Sequence, residues 1–306
     1  MNQIKQAVRI REDITAMAPY TPTASLEVFS ERLGRPVNEI IKLDANENPY
    51  GPSPKAREAL AGLDVAHIYP DPEMRRLRAL LSEYVGVGAE YILMGNGADE
   101  LIDLILRLFV EPGDTILTCP PTFLMYAFDA VISKAAVVEV PRRADFSLDM
   151  EEIEQAAIET QAKLLFLCSP NNPDGGLLAR EDLERLLALP LVVVLDEAYI
   201  EFSGAESAVK RVPSTPNLIV LRTFSKWAGL AGLRVGYGVF PLELIQHLWK
   251  MKQPYNLNVA ADVAGRASLL DRDYLLGNVR RIVAERERLF GELAEFPFLK
   301  PYPTPV

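Results

Sequence analysis

Residues 191–199 read LVVVLDEAY, and this stretch sets the expected fold of the whole chain. Its apolar run does not alternate with polar residues, so both faces of the strand should be covered. Asp196 follows directly at the carboxyl end of the run. A carboxylate beside a buried strand is costly unless it meets a cation or several hydrogen-bond donors. The stretch therefore predicts a buried strand with a polar site at its end.

The same pattern occurs on both sides of this stretch. Apolar runs at 91–94, 115–119, 137–140, 163–168 and 217–221 each lead towards polar residues, and amphipathic segments separate them. Parallel strands joined by helices are the economical arrangement for such runs. We therefore expect an α/β fold with a mostly parallel central sheet and helices on both faces. Ligands of such sheets bind beyond the carboxyl ends of the strands.

The chain of 306 residues is long enough for about two domains. Residues 1–45 are expected to form an N-terminal arm, and residues 46–255 a large domain that contains the sheet. Residues 256–306 should contain a linking helix and the beginning of an incomplete small α/β domain. Its long charged helix is followed by PFLKPYPTPV at 297–306, where the strands of a second domain would be expected to begin.

The composition argues against several classes of protein. The formal net charge is −10 with acids and bases interspersed, whereas nucleic-acid binding requires a basic face. The apolar runs are far shorter than a membrane span. Two histidines and two cysteines are too few for a zinc site or a Ser-His-Asp triad, so no metal is expected. Cys119 and Cys168 end apolar runs without a CxxC motif, which indicates a reducing compartment and a cytoplasmic protein.

Each polar cluster alone has an ordinary structural explanation. Asp196 could be a helix N-cap, and Asn172 within SPNNP could belong to a plain turn. Phe123 could be a core aromatic. The GNGAD segment at 95–99 opens a helix, whose first N–H groups can bind a phosphate, but Asp99 could simply cap that helix.

Taken together, the clusters place six different groups on one edge of the predicted sheet. These are an acid, an amide, a helix start, an aromatic ring, Lys226 and Arg234. Pyridoxal 5'-phosphate is the ligand that requires all of them. The carboxylate would keep its ring nitrogen protonated, the lysine would form a Schiff base with its aldehyde, and the arginine would bind its phosphate.

Three motifs resemble the signature of the fold-type I pyridoxal-phosphate-dependent aminotransferases: SPNNPDGG at 169–176, DEAY at 196–199 and TFSKWAGLAGLRVGYG at 223–238. LDANENPYGP at 43–52, IYPDP at 68–72 and GNGADE at 95–100 narrow the resemblance to the histidinol-phosphate aminotransferase branch. The resemblance extends from about residue 20 to the end of the chain. As a set, these motifs are highly specific.

The resemblance implies a role for each matching residue. Lys226 is the expected Schiff-base lysine, and Asp196 is the expected partner of the ring nitrogen. Tyr20 and Asn48 are expected near the substrate. The residues expected to contact the cofactor are Gly97, Ala98, Asp99, Thr223, Ser225 and Arg234 at the phosphate, Asn172 and Tyr199 at the phenolic oxygen, Phe123 on the ring, and Tyr69 from the neighbouring subunit of a homodimer.

The chain departs from the family pattern at three places. Phe123 stands where relatives often have tyrosine, and Asp174 replaces a threonine in the loop beside the site. We expect the Asp174 difference to have a modest effect. In the family, arginines from the later part of the small domain bind the acidic group of the substrate. These would lie beyond Val306, so we expect the chain to be short at its C-terminus.

The activity implied by the resemblance is transfer of the amino group of L-histidinol phosphate to 2-oxoglutarate, which gives imidazole-acetol phosphate and L-glutamate in histidine biosynthesis. Two other reactions on the same scaffold are alternatives, namely aromatic amino-acid transamination and decarboxylation of threonine phosphate. A truncated form that binds the cofactor without activity is a third alternative. A nucleotide-binding α/β protein is disfavoured because no GxGxxG motif follows a strand.

Overall fold

The computed structural model describes residues 10–305, which divide into one compact unit that ends at Glu47 and another that begins at Asn48. The first unit contains helices α1 (Glu12–Ala16) and α2 (Leu26–Leu33) and a 3₁₀ turn at Val37–Glu39. Ser25 caps α2 by accepting a hydrogen bond from the N–H of Val28. Gly34 ends α2 in the left-handed region, with φ of 61°, where glycine carries no Cβ penalty.

Within residues 48–305 the strands form one seven-stranded sheet in the order β1-β7-β6-β5-β4-β2-β3. The strands are β1 (Ile92–Asn96), β2 (Thr115–Thr118), β3 (Ala136–Glu139), β4 (Leu164–Cys168), β5 (Val192–Asp196), β6 (Leu218–Thr223) and β7 (Val235–Val239). β4, β5 and β6 occupy the middle of the sheet and are buried almost throughout, as their uninterrupted apolar sequences predict.

Helices precede, connect and follow these strands. They are α3 (Pro54–Ala61), α4 (Arg75–Val85), α5 (Gly97–Phe109), α6 (Met125–Ile132), α7 (Met150–Glu159), α8 (Arg180–Leu187), α9 (Leu242–Met251), α10 (Val259–Leu270) and α11 (Arg272–Ala294), and 3₁₀ turns lie at Ala89–Tyr91, Ile200–Phe202, Ala208–Ser214 and Ala231–Leu233. Asp149 caps α7 by accepting a hydrogen bond from the N–H of Glu152, as its sequence predicts. No helix within residues 10–305 combines the length and the apolar character that crossing a bilayer requires.

The sheet separates two apolar clusters, so helices cover both of its faces. One cluster contains Leu77, Trp227 and Tyr237, and the other contains Leu101 and Tyr126. The predicted α/β sheet with two covered faces is therefore confirmed, and it is parallel except at one strand. β7 runs antiparallel to both β1 and β6. The short connection at residues 224–234 explains this reversal, because a parallel neighbour would need a longer crossover.

The last part of the described chain is helical. α10 packs against α3 and α4, and α11 packs against the 3₁₀ turn Ile200–Phe202. From residue 256 to residue 305 the structure contains these two helices and no strand. The incomplete small domain expected here stays a prediction.

Candidate active site

A cavity of about 150 Å³ lies beyond the carboxyl ends of β4, β5 and β6 and beside the first turn of α5. Ten of the predicted site residues line it, which agrees with the rule for ligand sites in parallel sheets. These residues are Ala98, Asp99, Phe123, Asn172, Asp196, Tyr199, Thr223, Ser225, Lys226 and Arg234. Cys168, Ala198 and Ala231 complete the lining.

Asp196 is the buried acid of this cavity. Its strand, β5, places it beside Cys168 of β4 and Leu221 of β6 in register. Only 4% of the residue is exposed. Burial raises the pKa of Asp196 to about 6, although hydrogen bonds from Tyr126 and from the N–H of Ala198 oppose this rise. A cation next to this carboxylate would stabilise its ionised form and lower its pKa again.

Lys226 extends into the same cavity from the loop after β6. Its Nζ lies 5.6 Å from the centroid of the Tyr199 ring. The next residue, Trp227, is fully buried, and it anchors the main chain on the other side of the lysine. The side-chain amide of Asn48 donates hydrogen bonds to the carbonyl oxygens of Lys226, at 3.0 Å, and Trp227, at 3.2 Å. The backbone that carries the amine is therefore fixed at two points.

Hydroxyl groups and one guanidinium group collect at the other end of the cavity. Thr223 Oγ1 lies 2.9 Å from Ser225 Oγ and accepts a hydrogen bond from the N–H of Ser225. Arg234 Nη2 donates to Asp99 Oδ2 at 2.6 Å, and the carbonyl oxygen of Arg234 accepts from the N–H of Gly97 at 2.8 Å. This end can bind an anion, because it joins hydroxyl donors, a guanidinium and the start of a helix.

The SPNNPDGG loop is held against the segment that follows β2. Asn171 donates to the carbonyl oxygen of Pro121 at 3.0 Å and accepts from the hydroxyl of Thr122 at 2.8 Å. Asp174 accepts hydrogen bonds from the Asn171 side chain and, at 2.8 Å, from the N–H of Gly176. The aspartate that replaces the family threonine therefore braces this loop, and Asn172 within the loop lines the cavity.

Four predicted site residues do not line the cavity: Gly97, which precedes Ala98 in the first turn of α5, and Tyr69, Asn48 and Tyr20. Tyr69 is 78% exposed and stacks on Tyr255 with a ring-centroid distance of 4.4 Å. These two tyrosines lie in a separate surface cavity of about 280 Å³. Asn48 reaches the backbone of Lys226, as described above. Tyr20 belongs to the first unit and is 44% exposed.

The sequence analysis did not predict the polar partners of two strand residues, Asp196 and Arg222. Tyr126 is fully buried and donates a hydrogen bond to Asp196 Oδ2 at 2.7 Å. Its partner lies 70 residues away along the chain, so no local pattern indicates this contact. Arg222 forms a buried ion pair with Glu201, and nothing in the local sequence indicates that pairing. Within residues 10–305 no three His, Cys, Asp or Glu side chains are grouped so that they could hold a metal ion.

The chain belongs to the family described as aminotransferase class I and II, whose sequence profile matches residues 38–303. It is 57% identical to the histidinol-phosphate aminotransferase of Roseiflexus castenholzii over 96% of this chain and 81% of that protein. It is 56% identical to the chloroplastic histidinol-phosphate aminotransferase of Nicotiana tabacum over 96% of this chain and 71% of that protein.

A solved structure of a protein with the same name as these relatives has a similar fold. The crystal structure of histidinol-phosphate aminotransferase from Sinorhizobium meliloti, in complex with pyridoxal 5'-phosphate, superimposes with a TM-score of 0.86 at 28% identity. The superposition covers 97% of this chain and 80% of the other. The predicted family and the fold-type I fold class are thus confirmed.

Proposed function

We propose that this chain is a pyridoxal-phosphate-dependent histidinol-phosphate aminotransferase. The reaction is transfer of the amino group of L-histidinol phosphate to 2-oxoglutarate, which yields imidazole-acetol phosphate and L-glutamate in histidine biosynthesis. One observation carries the proposal: Lys226, the buried Asp196 and the anion-binding end line a single cavity. The relatives that are 55–57% identical over 96% of the chain and bear this name support the choice of substrate.

The residues of the cavity fit the cofactor. Gly236 of β7 lies so close to the first turn of α5 that a Cβ there would overlap Gly97 C and Ala98 N. This close approach forms a backbone cradle at the anion-binding end, where Thr223, Ser225 and Arg234 would hold the phosphate. Asp196 would accept a hydrogen bond from the protonated ring nitrogen, and the side chains of Asn172, Tyr199 and Phe123 would contact the ring and its oxygen.

Bound pyridoxal 5'-phosphate supplies an electron-withdrawing ring that stabilises the charge formed when a proton leaves the amino-bearing carbon of the substrate. Lys226 is the base for this proton transfer. While it is neutral, its Nζ would accept the proton from the amino-bearing carbon of the substrate. The ammonium group so formed would then give the proton up at the cofactor carbon that is joined to the same nitrogen. Asn48 keeps the lysine backbone in place, and the ionised Asp196 preserves the positive charge of the ring.

We further propose a homodimer in which Tyr69 contributes to the phosphate site of the neighbouring subunit. The exposure of Tyr69 and its location outside the cavity of its own chain support this arrangement. Tyr20 and Asn48 are proposed to lie near the substrate. The two cysteines, Cys119 and Cys168, are buried free thiols, which supports a reducing compartment such as the cytoplasm.

The proposal is tested with the purified chain and added pyridoxal 5'-phosphate. We expect a visible absorption band that Lys226→Ala loses and that Lys210→Ala, which removes an exposed lysine, retains. Histidinol phosphate should convert the band in a half-reaction, and 2-oxoglutarate should restore it. Release of carbon dioxide from threonine phosphate, or faster conversion by aromatic amino acids, would reassign the substrate. Absence of the band in the wild-type chain would overturn the proposal.

A further inference from the structure

Tyr126 is a buried polar residue that the proposed mechanism does not use. Its side chain is fully inaccessible to solvent, yet its hydroxyl donates a hydrogen bond of 2.7 Å to Asp196 Oδ2. A phenol that is buried needs a hydrogen-bond partner, and this one finds the acid of the cofactor cavity. Tyr126 itself does not line that cavity, so it acts only through its neighbours.

We propose that Tyr126 is the positioning residue that keeps Asp196 ionised and oriented towards the ring nitrogen of the cofactor. This inference rests on the proposed function, because it concerns the same cavity. Both carboxylate oxygens have a donor: Tyr126 holds Oδ2, and the N–H of Ala198 holds Oδ1 at 3.0 Å. Two donors on opposite oxygens fix the rotation of the carboxylate, and they favour its charged form.

The ring of Tyr126 is fixed as firmly as its hydroxyl. It stacks on Phe166 with a centroid distance of 5.2 Å and an interplanar angle of 15°. It also meets Phe123 edge-on, at 5.5 Å and 80°. Phe123 lines the cavity, where it is proposed to stack on the cofactor ring. One side chain therefore sets the position of both the acid and the aromatic wall.

The charges around Asp196 explain why a donor is needed there. Burial raises the pKa of this carboxyl, the nearby Asp99 raises it further, and Lys226 lowers it. The Cys168 thiol also lines the cavity, but burial raises its pKa, so it supplies no charge. Tyr199 and Arg234 complete the titratable groups that line the same space. Tyr126 is thus the side-chain donor that offsets the effect of burial.

The test uses Tyr126→Phe, which removes the hydroxyl and keeps the ring. Without this donor the pKa of Asp196 should rise, so the pH midpoint of pyridoxal 5'-phosphate binding, followed by absorbance, should increase by about one unit. The cofactor-free chain gives an independent measurement. Its melting temperature should fall by about 2–4 °C more at pH 8 than at pH 5, because only the ionised carboxylate loses a favourable contact.

Tyr84→Phe is the matched control. Tyr84 is also a largely buried phenol, and it donates to Glu201 at 3.2 Å. Glu201 retains Arg222 as its cation, so the loss of stability should be the same at both pH values. In an Asp196→Asn background the extra loss caused by Tyr126→Phe at pH 8 should disappear, because no carboxylate is left to stabilise.

The outcomes separate this inference from the proposed function. Equal losses of melting temperature at both pH values, together with an unshifted midpoint for cofactor binding, would overturn the role of Tyr126. A wild-type chain that binds no cofactor would overturn the proposed function, while the cofactor-free melting data would still decide whether Tyr126 keeps Asp196 ionised.

Discussion

Gly236 of β7 lies against the peptide between Gly97 and Ala98 at the start of α5, with the Gly97 carbonyl oxygen 2.7 Å from where a Cβ would stand. Strand and helix can approach this closely only because residue 236 is glycine. The approach brings the first turn of α5 to the same end of the cavity as Thr223, Ser225 and Arg234. The proposed phosphate cradle therefore depends on a residue that does not itself line the cavity.

We expect Gly236→Ala to weaken cofactor binding at least about 100-fold, because the added methyl group must displace the backbone that forms the cradle. The dissociation constant of pyridoxal 5'-phosphate, measured by absorbance titration, checks this. Gly232→Ala is the control, since a Cβ at Gly232 has no heavy atom within 4 Å. Similar affinities for the two variants would contradict the proposed cradle.

Asn48 gives a second prediction, because its side-chain amide donates to the carbonyl oxygens of Lys226 and Trp227. Asn48→Ala should lower kcat about 10-fold or more, as the backbone of the proton-transfer lysine loses two hydrogen bonds. KM should change little if this positioning is its main role. Steady-state kinetics of the wild type and of Asn48→Ala with histidinol phosphate measure both constants.

Asn217→Ala is the matched control for Asn48→Ala, since the Asn217 amide also donates to two backbone carbonyls, those of Leu187 and Leu191. It should reduce stability without changing kcat. A large rise in KM with unchanged kcat in Asn48→Ala would instead favour direct contact of Asn48 with the substrate.

The strands and the polar residues at their ends could be predicted from sequence because their signals are local. β5 is an uninterrupted apolar run, and the groups that follow β4, β5 and β6 meet at one edge in any parallel sheet. The cavity that joins Asp196, Asn172 and Lys226 follows from that topology. The set of groups at this edge indicates the ligand, and the family motifs indicate the aminotransferase branch.

Other features depend on contacts that no local pattern encodes. The orientation of β7 follows from how the 224–234 connection folds, and the partner of Tyr126 lies 70 residues away along the chain. Arg222 sits within a strand of apolar residues, and only the fold shows that Glu201 neutralises it. The role proposed for Tyr69 concerns a second subunit, so it cannot be derived from the folding of one chain.

The Arg222–Glu201 ion pair supports a third prediction, because both side chains are more than nine-tenths buried. Glu201→Gln leaves the guanidinium without its counterion and should cost about 3–5 kcal/mol of the free energy of unfolding. Glu292→Gln, which breaks an exposed pair with Arg288, should cost at most about 1 kcal/mol. Thermal or urea unfolding measures both. Equal small losses would mean that Arg222 is stabilised by its other neighbours, such as the Tyr84 and Tyr237 rings.

Asp129 gives a prediction whose sign depends on pH. Burial, with Asp103 and Asp99 nearby, raises the pKa of Asp129 from its ordinary 3.8 to about 6. Between these values the unfolded chain releases the proton first, so the carboxyl makes the folded state less stable as the pH rises from about 4 to about 6. Above that range the destabilisation is constant, and below it the destabilisation disappears.

Asp129→Asn removes this ionisable group, so it should stabilise the protein at pH 8 by about 1 kcal/mol, allowing for the partial exposure of the side chain. The expected rise in melting temperature at pH 8 is about 2–4 °C. It should shrink towards zero near pH 4, where the wild-type carboxyl is protonated in the folded state. Asp64→Asn, at an exposed position, should leave the melting temperature nearly unchanged throughout. A gain of equal size at pH 8 and pH 4 would show that the effect arises from packing and not from the buried charge.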